Sequence, residues 1–399
     1  MLALLLKRQP HVVSKSEFAD AAWGRRLMSD ESLARCISRL RRTLRPFGLL
    51  IESVYGTGYR LSGNEPPSPR ASTLEVYQHA QNLAQLRTPA GLGRAIALLR
   101  TLIGQAPGYA LARVALVDCL AAAVGWGLLP TRASVDEGLL VLDPLWPPRG
   151  EAVPGLQGAR GALLDMAWRF DEARQCHEDG LRAGAASAGS LLAYGRHLLL
   201  TDRANEAAHH LREALQLSPH MVLLRMTLSR ALLQAGRGAE ALAEARAAVA
   251  EHPGQLLLAA FELAVRVIVA PDDAIEPAAR RLGDGFDPSP FAWTVLSFVL
   301  ARLGRRESAL EVIDAALICS RTSTGEASLY AASLAALGEV DRAAQLLQRA
   351  YDERSGMLAM VLRDPANTDW LGRHPVGQRL MRDVFGASTT ASAASRAGA

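Results

Sequence analysis

Residues 30–61 read DESLARCISRLRRTLRPFGLLIESVYGTGYRL, and this stretch decides the fold of the N-terminal part of the chain. Leu33, Ile37, Leu40 and Leu44 recur at helical spacing and make one apolar stripe. Arg35, Ser38, Arg39 and Arg42 fall on the opposite face, with Arg41 and Arg45 on the flanks. A helix that buries leucines on one side and shows guanidiniums on the other suits a DNA groove. There an arginine fork takes guanine O6/N7 bidentately or clamps a phosphate. Beyond the helix, Leu49 to Val54 predicts a strand, Tyr55-Gly56-Thr57-Gly58 a turn, and Tyr59-Arg60-Leu61 the returning strand.

Upstream, Met1 to Arg8 reads as the apolar end of a helix. Ser14-Lys15-Ser16-Glu17 has the S-x-x-E form of a capping box and predicts a short helix running to Ala22. Trp23-Gly24 closes it, and Ser29 or Asp30 stands where it can cap the arginine helix. Two helices joined by a compact turn, the second basic, describe a helix-turn-helix. On these residues the resemblance becomes specific. Residues 1–62 resemble the OmpR/PhoB-type winged-helix DNA-binding domain at LALLLKRQPHVVSKSEF (2–18), AAWG (21–24), ISRLRRTL (37–44) and VYGTGYRL (54–61). The form SDESLARCISRLRRTL (29–44) is most similar to regulators of the CadC/HilA type. The resemblance implies that the arginine helix enters the major groove of double-stranded DNA and that the hairpin wing reaches the minor groove. It places Arg39 in the groove, flanked by Arg35, Ser38, Arg41 and Arg42, and the DNA-binding residues expected beyond these are Arg45 and, on the wing, Tyr55, Thr57, Tyr59 and Arg60.

The chain departs from the family pattern in two ways. Tyr55 stands where many response regulators carry a basic residue, which implies weaker minor-groove readout. The family's domain also opens with a small N-terminal sheet and a complete first helix, whereas Met1 falls inside that helix. The expectation is therefore a late-assigned start or a shortened domain with its N-terminal sheet missing.

Charge is concentrated in the same region. Residues 1–63 hold eleven Lys/Arg against five Asp/Glu, about +6, while the whole chain is +4. A localised basic excess is what a module needs to displace counterions from phosphates.

Ser62 to Ser72, SGNEPPSPRAS, is polar and Pro-rich with no apolar period, and reads as a linker over 63–72. Beyond it the chain repeats. Arg169-Phe170-Asp171-Glu172-Ala173 is echoed at Arg203 to Ala207, Arg237 to Ala241, Arg305 to Ala309 and Glu339 to Ala343. The alanines are spaced by 34, 34, 68 and 34 residues. Ile275 takes the alanine's place in the skipped copy. Twelve residues before each marker stands a small residue (Gly161, Gly195, Ser229, Ser297, Ala331), and Pro219 and Pro253 end their helices. Seven residues after each marker comes another small one, from Gly180 to Ala350, which lets the next copy pack closely. A 34-residue period resembles the tetratricopeptide repeat. Residues 73–385 are thus expected to form an α-solenoid whose units bury their faces against their neighbours, and the fold as a whole to be mainly α. Ala95, Leu102 and Pro107 mark a looser early copy, and Val124 to Pro154 breaks the period. Arg363 to Phe385 reads as a capping helix, and 386–399, rich in Ala, Ser and Thr, as a disordered tail.

Little catalytic chemistry is legible. There is no Gly-rich phosphate loop, GxSxG, HExxH or receiver domain, so no enzyme and no cofactor is expected. Cys36, Cys119, Cys176 and Cys319 are too scattered for a metal knuckle. His209 and His210 point about 100° apart on a helix, and His177 and His197 read as isolated structural histidines, so no metal is expected. Trp126, Trp146 and Trp168 gather around the irregular copy, as packing residues or as a pocket lining. Apolar runs are too short or interrupted to span a bilayer, so a cytoplasmic, membrane-free protein is expected. The two modules together predict a bacterial transcriptional regulator. Its repeats would bind an effector or a protein partner, self-associate, or touch RNA polymerase. The alternative is a tetratricopeptide scaffold with a degenerate winged helix.

Overall fold

The computed structural model describes residues 4–5, 8, 12–23, 30–44, 50–54, 58–62, 72–85, 89–125, 127–146, 153–182, 187–253, 255–285, 290–319 and 326–386. It divides into two compact units, Met1–Cys119 and Leu120–Ala399.

The first unit opens with a short strand, β1 (Val13–Ser14), leading directly into helix α1 (Lys15–Phe18). The capping box is formed as its sequence predicts: the Glu17 N–H donates to Ser14 Oγ at 3.2 Å, and the Ser14 N–H donates to Glu17 Oε2 at 2.9 Å. These bonds from Ser14, joined by the Arg8 guanidinium, hold the Glu17 carboxyl below its ordinary value. After Phe18 the chain widens into a π-helical turn, Ala19–Trp23. Helix α2 (Asp30–Leu44) follows, then the hairpin β2 (Leu50–Val54) and β3 (Gly58–Ser62). The sheet order is β1-β3-β2, antiparallel throughout, with Ile51 opposite Leu61 and Val13 opposite Tyr59. Leu33 and Ile37 of α2 are buried with Leu5, Val13, Phe18, Ile51 and Leu61 in one small core.

Gly58 lies where β1 crosses the hairpin. A Cβ there would sit 2.0 Å from the Val13 carbonyl oxygen and 2.9 Å from Ser14 Cα. Both obstacles are backbone, so a side chain can enter only by parting β1 from β3. Gly58→Ala should therefore destabilise this sheet by about 2–3 kcal/mol. Hydrogen exchange across residues 50–62 of the full chain would reveal it, and unchanged protection there would refute the steric argument.

The rest of the first unit is helical: α3 (Thr73–Gln85), packed on α4 (Pro89–Gln105), then α5 (Ala110–Gly125), which runs into the second unit. The second unit continues with α6 (Thr131–Leu142), α7 (Leu156–Met166), α8 (Phe170–Arg182), α9 (Ala188–Leu200), α10 (Ala204–Leu217), α11 (Val222–Gln234) and α12 (Gly238–Glu251). Then come α13 (Leu256–Val269), α14 (Ile275–Gly285), α15 (Pro290–Arg302), α16 (Arg306–Cys319), α17 (Ala331–Ala336) and α18 (Val340–Asp352). Three short helices close it: α19 (Leu358–Leu362), α20 (Pro365–Leu371) and α21 (Pro375–Phe385).

The repeat marker has a physical basis. Arg169, Arg203 and Arg237 each precede a B helix and clamp the glutamate three residues on, Glu172, Glu206 and Glu240, through paired bonds of 2.6–2.7 Å. Just before the first residue of each marker (Arg169, Arg203, Arg237, Arg305 and Glu339) the chain turns left-handed to end helix A. Glycine takes that position at 236, 304 and 338; Trp168 and Asp202 adopt it at φ of 60° and 63°. The small residues likewise mark close approach: Gly195 lies against Leu211, and Ser229 Oγ donates to the Ala241 carbonyl at 2.7 Å.

The C-terminal helices do more than cap the last repeat. Trp168 stacks on Tyr351 at 5.6 Å and Phe170 on Phe385 at 5.3 Å. Arg363 Nε donates to the Leu200 carbonyl at 3.1 Å. The end of the second unit thus docks on the turns between α7 and α8 and between α9 and α10. Trp146 lies elsewhere, under Arg160 at 4.3 Å and against Leu164, Ala173 and Cys176. Both tryptophans are packing residues in separate places, and Trp126 is outside the described residues. Among the described residues, no helix is long and apolar enough to cross a membrane.

Candidate nucleic-acid interface

The candidate interface is built by turning one face of α2 into the small core and leaving the other outside. Leu33 and Ile37 are almost wholly buried and Leu40 packs half-buried beside them. Ser38 and Arg39, on the opposite side, are exposed. Arg35 and Arg42 occupy helical positions on that same side by the period of the helix, their side chains being outside the described residues. Arg45, Tyr55 and Thr57 are outside the described residues altogether.

Arg41 is engaged differently. Its Nε donates to the Ile51 carbonyl and its Nη2 to Ser53 Oγ, both at 2.8 Å, and its guanidinium lies 5.9 Å from the Tyr59 ring centroid. One side chain therefore ties the helix to both strands of the hairpin. Tyr59 in turn meets Phe18 edge-on at 6.1 Å, and Tyr59 and Arg60 are each half-buried. Helix and hairpin are thereby held in fixed relation, the preorganisation a groove reader needs. Chemically the surface is cationic and hydrogen-bond donating, suited to phosphates and to acceptor edges of bases. The resemblance placed Arg41 among the DNA-binding residues flanking Arg39; the signal for its contact with the hairpin is its position between the apolar stripe and the exposed face.

In the second unit the structure corrects the reading of His177 and His197 as isolated. Asp165, near the end of α7, lies between them: His197 Nδ1 is 2.7 Å from Asp165 Oδ1 and His177 Nε2 is 3.2 Å from Oδ2. All three are buried, and the two rings lie 5.3 Å apart. Twelve residues separate Asp165 from His177 and twenty separate His177 from His197, so only the stacking of α7, α8 and α9 brings them together. His209 and His210 also share a partner, Glu213, at 3.4 and 2.9 Å.

Comparison with known proteins fits this geometry. Residues 1–61 match the family described as transcriptional regulatory protein, C terminal, and residues 198–261 match the tetratricopeptide repeat. The chain thus joins an OmpR/PhoB-type DNA-binding domain of transcriptional regulators to tetratricopeptide repeats. Among individual proteins it is similar to the transcriptional regulator HilA of Salmonella typhimurium, 38% identical over 79 residues, covering 18% of this chain and 14% of that protein. HilA of Salmonella typhi is similar to the same extent. The chain therefore spans only 14% of the length of these relatives. Among solved structures, human IFIT1 in complex with m7Gppp-AAAA aligns with a TM-score of 0.53 at 12% identity, over 83% of this chain and 78% of that one. That likeness shows the helical-repeat fold alone.

Proposed function

We propose that the chain is a cytoplasmic bacterial transcriptional regulator that reads promoter DNA with α2 and its hairpin. The carrying observation is the exposed Ser38–Arg39 face of a helix whose other side is buried and whose flank is clamped to the hairpin by Arg41. In this reading Arg35, Ser38, Arg39 and Arg42 enter the major groove and Arg45 meets the backbone. Arg41 holds the wing, and Tyr55, Thr57, Tyr59 and Arg60 approach the adjacent groove. Residues 1–62 are the reader, 63–72 a tether, 73–385 the repeat array and 386–399 a tail. One winged helix covers limited DNA surface, so specificity calls for two copies on repeated half-sites. The array is the natural source of that pairing, or of a contact with RNA polymerase or another protein. No catalytic role is assigned.

The test is selection of binding sequences from randomised duplex DNA by the full chain, followed by titration of the enriched sequence. A recovered motif with two spaced half-sites, bound with strong salt dependence, is the expected result. Recovery of no motif and no salt-dependent binding would sink the regulator and favour the interaction scaffold.

A further inference from the structure

The Asp165–His177–His197 cluster stands out when the repeats are overlaid at their 34-residue period. The equivalents of Asp165, His177 and His197 in the adjoining copies are Leu199, Leu211 and Leu163, all buried. One copy further on they are Leu233, Ala245 and Val265. In the other in-phase copies, marked by Ile275, Ala309 and Ala343, these positions are again apolar, save one serine, Ser333. Three positions that form the ordinary apolar interior are thus polar in a single layer, and the three side chains meet there. Gly161 makes room for this: a Cβ would come within 2.5 Å of the His177 ring.

The cluster is short of positive charge. The Asp165 side chain is only 8% exposed, and among the described residues its partners are the two imidazoles, with no guanidinium or ammonium on it. A carboxylate in such a place needs a counter-charge. His177 Nδ1 and His197 Nε2, the ring nitrogens turned away from Asp165, are buried with no partner among the described residues. A metal ion supplies the counter-charge at the carboxylate itself and replaces two hydrogen bonds by three coordinate bonds, a gain that outweighs leaving one N–H on each ring without a partner.

We propose that Asp165, His177 and His197 form a binding site for a divalent transition-metal ion of the zinc class. One ligand atom from each lies within 4.8 Å of the others. Ligands held about 2.0–2.2 Å from a tetrahedral ion are themselves about 3.3–3.6 Å apart, so small rotations of the rings close the site. Two imidazoles and one carboxylate select zinc, cobalt or nickel over magnesium or calcium, which want more oxygens. The ion would pin α7, α8 and α9 together, linking the order of two consecutive repeats to metal supply. The site does not depend on the DNA-binding reading, and its failure would leave that reading untouched.

The experiment uses the full chain, stripped with chelator and then given zinc chloride. Metal per chain is measured after gel filtration and thermal stability with and without zinc. One retained zinc per chain and a raised melting temperature are expected. The D165L/H177L/H197V variant, which installs residues found at the same positions of other copies (Leu199, Leu211 and Val265), should retain none. H209Q/H210Q, which removes the half-exposed histidine pair on α10, should retain the zinc. No zinc in the folded wild type overturns the proposal; so does zinc lost in H209Q/H210Q but kept in the triple variant. A second readout guards against a misfolded triple variant. Cobalt bound in place of zinc should give the absorption of a four-coordinate ion. The H177Q variant should lose it while keeping the wild-type circular dichroism; unchanged absorption in H177Q overturns the proposal.

Discussion

Replacing Arg39 and Arg42 by alanine is expected to weaken binding to the selected operator by roughly 10- to 100-fold for each arginine, from the 1–3 kcal/mol typical of an arginine reading a base. Arg39 is exposed on the side of α2 away from the buried Leu33 and Ile37. The two roles open to each arginine leave different traces. Loss of a phosphate contact weakens all sequences alike and lowers the salt slope by about 0.9. Loss of a base contact relaxes discrimination at one position and leaves the slope nearly unchanged. Titrations of R39A, R42A and the double variant against operator and scrambled DNA, at salt from about 50 to 200 mM, separate them. Full affinity and full discrimination in the double variant would remove α2 as the reader. Arg41→Ala is the instructive companion. It removes the bonds to Ile51 and Ser53, so its effect should come with faster hydrogen exchange in the hairpin, which the R39A change should not produce.

Much of this architecture could be read from residues because local rules suffice for it. The stripe at 33, 37 and 40 is a consequence of helical period, and the Ser14–Glu17 cap of two side chains exchanging bonds across one turn. The hairpin follows from apolar residues on either side of Gly56-Thr57-Gly58, and Leu50 to Val54 forms the strand that the pattern predicts. A two-residue strand such as β1 has no period to display, and the π-helical turn after Phe18 has no composition of its own. In the array, the markers were legible because each copy must repeat the same close contacts. Contacts between distant copies carry no such repetition. Nothing local ties Trp168 to Tyr351 or Arg363 to Leu200, which meet only after many helices have stacked. The histidine cluster lies between these cases. Its members are far apart in sequence, yet each breaks the apolar rule of its repeat position, and comparing copies position by position would have exposed them together.

The same comparison sets up the sharpest stability test, carried out in chelator so that metal plays no part. His197→Val alone leaves the buried Asp165 with one weak partner, at 3.2 Å. Stranding a buried charge in this way should cost about 3–5 kcal/mol. D165L/H177L/H197V removes the charge and all of its partners and fills the layer with the kind of side chains that the adjoining copies use. Leu211 already packs on Gly195 as His177 does on Gly161, so the leucine has a tested place to sit. Replacing a buried ionic group by apolar residues of similar volume is neutral or stabilising by about 1–4 kcal/mol. The triple variant should therefore be at least as stable as the parent chain, although one of its component changes is severely destabilising. Denaturant titration, with hydrogen exchange followed across α7 to α9, measures both. Independent sites would instead add their costs and make the triple variant the least stable of the series. Additive losses would mean that the three side chains merely pack near one another; a recovery in the triple variant would mean that they act as one polar unit inside an apolar solenoid.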